Sequence, residues 1–350
     1  MIHLHGILSL APTSVQQAIQ TFSTRASTHT GVQFIDVDMD AAHNSSQQSR
    51  STLSPSKLGH IHWFCKMVLQ AKDDDSRLVL CTGPDHEKIT SCALLIGGYL
   101  ILCEDYNPEQ VAAALQPVEH LFVRYCDSPN EHSNVEIANQ DCWRALHLAK
   151  HHGWIDFLNQ DVDPETCIDM EEYQHYDSPA NGDLHVIVPS KLIAIRPPHD
   201  LSPDAHTGAA RTWADDAGGD RVFSPAYYAD VLCDFGVKLV VRCSQPTYDA
   251  APLLDLGVAV EEMPDASSAA AAASLLRHID RFLTLAQLAP GAIAVHADGH
   301  GLGSAEVLIS TFLVRRCAFP AGAAVAWARM THPAAHVAAL RFTAHDAPAA

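Results

Sequence analysis

The chain has 350 residues, 47% of them hydrophobic, so it is long enough for two ordinary domains and too apolar for wholesale disorder. Its formal net charge of −19 argues against a nucleic-acid or anionic-membrane binder and favours a basic partner or simple solubility. No N-terminal apolar run is long enough for a signal peptide, and none approaches the ~18 residues of a membrane span, so an intracellular protein is expected.

Met1–Ser54 is polar, with one strand expected at Gly31–Met39, where GVQFIDVDM alternates. Pro55–Lys72 carries Leu58, Ile61, Trp63-Phe64 and Met67-Val68 at helical spacing. Leu78–Cys81 reads as a short strand, and Ile89–Cys103 and Pro108–Leu115 as buried helices. Between them, Thr82–Lys88 holds Asp85 and Glu87, which repel an anion. Asn139–Asn159 reads as a helix. These elements make a first domain over residues 1–160, expected to lack an active site.

Residues 161–182 are an acidic linker with a helix that carries Asp169, Glu171 and Glu172. A second domain, 183–343, opens on a strand at Asp183–Pro189. Pro197–Gly219 is rich in Pro, Gly, Ala and Asp and reads as a surface loop. Pro225–Phe235 is a helix that Gly236 ends, and Val237–Arg242 is a β-branched buried strand. The Ala/Ser run Ala266–Ala273 lengthens a helix that continues through Leu275–Leu288. Residues 344–350 read as a small, frayed tail.

The stretch with the most chemical content is Gly291–Glu306, GAIAVHADGHGLGSAE. It reads as buried strand, Gly-rich turn and helix start, the layout of a phosphate cradle, because backbone N–H groups at a helix N-terminus converge on an anion. In cysteine-dependent phosphatases such a strand delivers a His-Cys pair, and an Arg after the loop grips the phosphoryl oxygens. Here the strand delivers His296 and Ala297, and Gly303 or Ser304 stands at the Arg position. None of the ten cysteines is followed by an Arg at C-x5-R spacing, and none forms a C-x-x-C pair. They read as core cysteines of a reducing compartment.

Several stretches together resemble the CDC14-type dual-specificity phosphatases. They are Asp169–Tyr176 followed by Asn181–Lys191, Pro198-His199, Phe223–Asp249 with its Val240-Val241-Arg242 and Tyr248-Asp249-Ala250, Pro264–Ser267, and Trp327-Ala328-Arg329. The resemblance covers roughly Gly31 to Phe342. It implies two tandem phosphatase-like α/β domains of the protein tyrosine phosphatase fold, with only the second catalytic. It also implies phosphoserine-proline substrates with a basic residue downstream, read by an acidic groove that matches Asp169, Glu171 and Glu172. Asp265 matches the family's general acid and Ala297 its nucleophilic Cys. A general acid without a nucleophile has no leaving group to protonate. The chain therefore resembles a catalytically degenerate member, and the expectation is a pseudophosphatase, not an enzyme, that binds protein as a scaffold or structural subunit.

Other readings of the same residues stand beside this one. His296-x-Asp298-x-His300 has alternation that suits a metal only if the segment is extended; a structural His296 and no metal or other cofactor are expected. Gly299, Gly301 and Gly303 with Ser304 remain able to cup a phosphopeptide through N–H groups alone. Asp298 or Ser304 is expected to satisfy that loop from within. An enzyme with a non-Cys nucleophile such as Ser304, or a component of a cytoskeletal, ciliary or axonemal assembly, completes the set. The partner is expected to be a protein, basic or part of a large assembly, and neither nucleic acid nor membrane.

Overall fold

The computed structural model describes residues 2–5, 7–18, 31–39, 53–126, 136–159, 161–204, 207–216, 219, 221–243, 247–263, 271–296, 304–332 and 340–346. The chain divides into two compact units, Met1–His152 with Pro333–Ala350, and Gly153–His332.

The first unit is built on a five-stranded sheet in the order β1 (Ile2–His5), β2 (Leu8–Ala11), β4 (Ser76–Cys81), β3 (Gly31–Met39) and β12 (Leu340–Asp346). The central three strands are parallel, and β1 and β12 close the edges antiparallel. Leu78–Cys81 at the centre is completely buried, as its unbroken apolar run requires. The strand β12 corrects the expected boundary: this stretch is neither the end of the second domain nor a frayed tail. It pairs with β3 from Leu340 opposite Met39 to Asp346 opposite Gln33. β1 and β2 were likewise not expected in a polar N-terminal stretch. Leu8–Ala11 is buried because it pairs with β4, a contact far away in sequence.

Among the described residues, the helices resolved over their full length in this unit are α1 (Leu58–Asp73), α2 (His86–Glu104), α3 (Pro108–Leu115) and α4 (Asn139–His151). Asp85 caps α2 by accepting from the Glu87 and Lys88 N–H groups at 2.9 and 3.2 Å. From Ile89 to Leu102 every residue of α2 is buried, so the helix has no polar face to turn outward. α1 and α4 both pack on it. A Cβ at Gly97 would lie 2.1 Å from the Trp143 Nε1 of α4, so glycine is what lets those helices approach. The α4 helix ends eight residues before the expected Asn159, because Gly153 takes a left-handed φ of +76°.

The second unit has its own five-stranded sheet: β10 (Ala259–Glu262), β9 (Val237–Arg242), β11 (Ala292–His296), β6 (Leu192–Ile195) and β5 (Leu184–Val188). All pairs are parallel except β5 with β6. Six helices accompany it: α5 (Met170–Tyr176), α6 (Pro225–Asp234), α7 (Ala251–Asp255), α8 (Ala271–Leu288), α9 (Ser304–Arg316) and α10 (Ala321–Thr331). Ser224 caps α6 through the Tyr227 N–H, Pro225 pre-sets its first turn, and Gly236 leaves it at φ +66°. Tyr228 and Leu232 of α6 pack on Ile193, Val237 and Val240 of the sheet. The described residues of Pro197–Gly219 are irregular, as expected of a surface loop, except for one three-residue strand. β7 (Trp213–Asp215) pairs antiparallel with β8 (Arg221–Phe223), and the Arg221 guanidinium lies 3.9 Å over the Trp213 ring. That cation–π contact joins two residues that no local periodicity links.

Candidate functional site

Ligands of open parallel sheets gather at the carboxyl ends of the strands. In the second unit, three parallel strands end there on polar side chains, β9, β10 and β11. Arg242 closes β9 and His296 closes β11, directly opposite each other in register. The Cys243 N–H donates to the His296 carbonyl at 2.8 Å, which holds the two strand ends together. Both side chains are buried, Arg242 at 2% exposure and His296 at 1%.

Tyr248 ties them together. Its hydroxyl lies 2.9 Å from His296 Nε2, its ring lies 3.8 Å beneath the Arg242 guanidinium, and its carbonyl accepts from Arg242 Nη1 at 3.3 Å. Glu262, at the end of β10, adds a carboxylate 3.5 Å from Nη1. Burial, then the charge of Arg242, then His199, push the His296 pKa down to about 3. The ring is therefore neutral at physiological pH. Nε2 and the Tyr248 hydroxyl share one hydrogen bond, in which the neutral ring's tautomer sets which of the two donates. Among the described residues, His296 Nδ1 has no hydrogen-bond partner, nor do Arg242 Nε and Nη2. The carboxyl edge of this sheet thus holds buried guanidinium N–H groups that have no acceptor among the described residues.

Ser304 is the first residue of α9, so strand, intervening loop and helix follow the order expected of a cradle. Ala297, Asp298, His300 and Asp265 lie outside the described residues. So do the glycines of the loop, and with them the expectation of a loop satisfied by Asp298 or Ser304. Among the described residues no group of three or more His, Cys, Asp or Glu side chains is placed to hold a metal. In the first turn of α9, Glu306 pairs with the buried Arg329 of α10 at 3.4 Å, which ties the start of α9 to the end of α10.

The three acidic linker residues are brought together on α5, but they do different things. Asp169 is the N-cap: its carboxylate accepts from the Glu171 and Glu172 N–H groups at 2.8 and 3.1 Å. Its expected place in a groove is thereby qualified, since one oxygen is committed to the helix end. Glu171 and Glu172 occupy the first turn, where the helix dipole favours anions. The Glu172 carboxyl is raised above its ordinary range by partial burial, then by Asp169 and by Asp234 at the end of α6. A raised carboxyl among carboxylates is stabilised by an incoming cation.

Sequence reasoning quoted Arg242 and Tyr248 only as parts of a motif and gave neither a role. The signal was available: an arginine closing a β-branched strand, with an aromatic residue six positions on. His296 was read as structural, and it is buried and hydrogen-bonded. Its partner is the Tyr248 hydroxyl, which the sequence did not indicate.

Residues 14–149 match the family model described as the dual specificity protein phosphatase, N-terminal half. The dual specificity protein phosphatase CDC14C of Homo sapiens is 24% identical over 314 residues, 89% of this chain and 64% of that protein. CDC14AB of Danio rerio is 28% identical over 275 residues, 77% of this chain and 41% of that protein. The chain therefore spans less than two thirds of the length of either relative. Among solved structures, a putative protein tyrosine phosphatase from Leishmania major is similar with 24% identity and a TM-score of 0.28, over 41% of this chain and 78% of that one.

These matches correct one expectation. The loss of a Cys at Ala297 and of the loop Arg suggested a protein that is not an enzyme. The relatives aligned along 77% and 89% of the chain are named phosphatases, and they point to an enzyme family. The expectation weighed the missing Cys and Arg of one loop against a resemblance that extends along most of the sequence.

Proposed function

We propose, from the premise that this chain is a homologue of the CDC14-type dual-specificity phosphatases in two tandem phosphatase-like α/β units, that it works on phosphorylated protein segments. The docking edge is the carboxyl end of the second unit's sheet. The observation that carries this reading is the pair Arg242 and His296, buried in register at the ends of β9 and β11, with guanidinium N–H groups that have no acceptor among the described residues. A dianionic phosphoryl group is the ligand that such an edge favours. The carboxylates of Glu171 and Glu172 supply the complementary preference for a basic residue in the same segment. Position 297 is alanine, so a hydrolytic step at this edge draws on a group other than a thiol there.

The test is equilibrium binding of a phosphoserine-proline peptide with a basic residue downstream, against its unphosphorylated twin. The phosphorylated form should bind roughly 10-fold more tightly or better, the return expected from one or two charge-assisted hydrogen bonds. Equal affinities would remove the phosphate from the reading. Phosphate release followed in the same samples reports whether hydrolysis accompanies binding. Reversing charge with Glu171→Lys and Glu172→Lys together should weaken the same peptide roughly 5-fold and flatten its salt dependence, as partly screened surface charges do. Affinity and salt slope that match the parent protein would leave those carboxylates as a solvated helix end.

A further inference from the structure

The carboxyl edge of the second unit's sheet ends on one carboxylate that phosphate binding leaves without a task. β10 lies parallel to β9 with Glu262 opposite Arg242, and β11 lies on the other side with His296 opposite Arg242. A carboxylate, a guanidinium and an imidazole therefore close three neighbouring strands in one row. Arg242 and His296 are buried, whereas the Glu262 side chain is 46% exposed. Its neighbour Glu261 belongs to the opposite face, as strand alternation requires, and pairs with Arg281 of α8.

Glu262 is a loose partner for a buried arginine. Its Oε1 lies 3.5 Å from Arg242 Nη1, against roughly 2.7–2.9 Å for a charge-assisted hydrogen bond. The same Nη1 donates to the Tyr248 carbonyl at 3.3 Å, so the carboxylate shares its donor. Among the described residues Glu262 is the one carboxylate within ion-pair reach of Arg242, and Nε and Nη2 have no acceptor there. The Tyr248 ring and carbonyl hold the guanidinium in place, so Glu262 is not needed to orient it. What the carboxylate does supply is a negative charge beside a buried cation. That charge offsets the guanidinium in the empty protein and repels any further anion.

We infer, on the reading of this edge as a phosphate site, that Glu262 is the resident counter-anion of Arg242, which an incoming phosphoryl group must displace, and that it thereby sets the affinity of the edge. The phosphoryl dianion and the carboxylate compete for one guanidinium, and Glu262, half in water, is the partner that can leave. Separating the resident pair costs free energy that is subtracted from ligand binding. Removing the charge at position 262 should therefore do two opposite things. It destabilises the empty second unit, because a buried guanidinium loses its counter-ion. It also tightens the phosphorylated ligand. A residue that merely held Arg242 in position would weaken the ligand when lost, so the sign of the change separates the two roles.

The experiment uses the full chain, the phosphoserine-proline peptide with a basic residue downstream and its unphosphorylated twin. The parent, Glu262→Gln and Glu261→Gln are compared by equilibrium titration and by thermal unfolding. Glu262→Gln should bind the phosphorylated peptide roughly 5-fold more tightly than the parent and the twin no better, the return expected from removing one half-solvated like charge. Without peptide its melting temperature should fall by a few degrees, and saturating phosphorylated peptide should raise it by more than in the parent. Glu261→Gln removes the same charge from the same strand end and should leave the affinity as it was. Equal or weaker binding by Glu262→Gln, in a parent that prefers the phosphorylated peptide, overturns the inference and leaves the phosphate site standing. Equal gains in both glutamine variants overturn it as well, because they would report net charge alone. If none of the three proteins separates the phosphorylated peptide from its twin, the phosphate site and the role of Glu262 fall together. Should Glu262→Gln fail to fold, Glu262→Asp, whose shorter side chain draws the charge back from Nη1, takes its place and should tighten the phosphorylated peptide by a smaller factor; unchanged or weaker binding by that variant overturns the inference.

Discussion

Replacing Trp327 with alanine should destabilise the second unit by roughly 3–5 kcal/mol, the usual cost of emptying a large aromatic site in a packed core. For a unit of this size that is a fall of roughly 10 °C in melting temperature. Trp327 is 0% exposed in α10, between Ala326 and Ala328, with Ala323 and Ala324 also buried in the same helix. Small neighbours cannot expand into the space that the indole leaves, so the cavity stays open. The indole N–H also donates to the Ile187 carbonyl at 2.9 Å, which ties α10 to β5 at the edge of the sheet. Trp154 stacks on Phe319 at 5.5 Å and meets Trp327 at 6.0 Å, so the loss reaches a second aromatic pair. Trp327→Phe keeps most of the volume but leaves the Ile187 carbonyl unpaired, at about 1–3 kcal/mol. Thermal unfolding followed by near-ultraviolet dichroism separates the two variants. Near-equal losses for both would assign the effect to the hydrogen bond rather than to the cavity.

The elements that were legible in the sequence are those whose signal is local. β9 and β11 are short strands dominated by apolar residues, and α6 carries its own Ser224 cap, its Pro225 start and its Gly236 end. α2 announces itself by length and hydrophobicity, and β3 matches its expected bounds of Gly31–Met39. What escaped depends on a partner elsewhere. β12 is a strand only because β3 lies beside it some three hundred positions earlier in the chain, and composition near a terminus read simply as a tail. The β7–β8 pair sits in a stretch whose Pro, Gly and Asp content argued for a loop. At the site, the phosphate-loop layout and His296 were readable from strand, turn and helix order. The brace of Arg242, Tyr248 and Glu262 was not, because it joins the ends of β9 and β10 to β11 through one aromatic ring. The resemblance placed Asp169 in an acidic groove, and the structure adds that one of its carboxylate oxygens caps α5.

The second unit should lose stability steeply in mild acid, and His296 should carry most of that slope. In the fold its pKa lies at about 3, because burial and the neighbouring Arg242 disfavour a charged ring. In the unfolded chain an imidazole titrates near 6.5. Between those values the unfolded state binds one proton that the folded state refuses, so stability falls as pH falls. The slope approaches 1.4 kcal/mol per pH unit once the unfolded ring is fully charged, and it levels off below pH 3. Asp183 adds a loss of the same sign but at lower pH. Its carboxyl is held down despite burial by the His185 hydrogen bond and by His332 and Arg196, and protonating it removes those contacts. His62, lowered to about 4 by burial and Lys66, imposes a similar slope on the first unit, so the probe must report the second. Trp154 and Trp327 are the buried tryptophans of that unit and serve as its fluorescence signal. Urea unfolding of the parent chain and of His296→Asn, from pH 6.5 down to 4, reads the proton count directly. Asparagine keeps a polar group beside Tyr248 but cannot titrate, so the variant should be less stable at pH 7 and should lose close to one proton from the slope. A slope that the substitution leaves unchanged would mean that the ring accepts a proton in the folded state, which its buried place between Arg242 and Tyr248 denies.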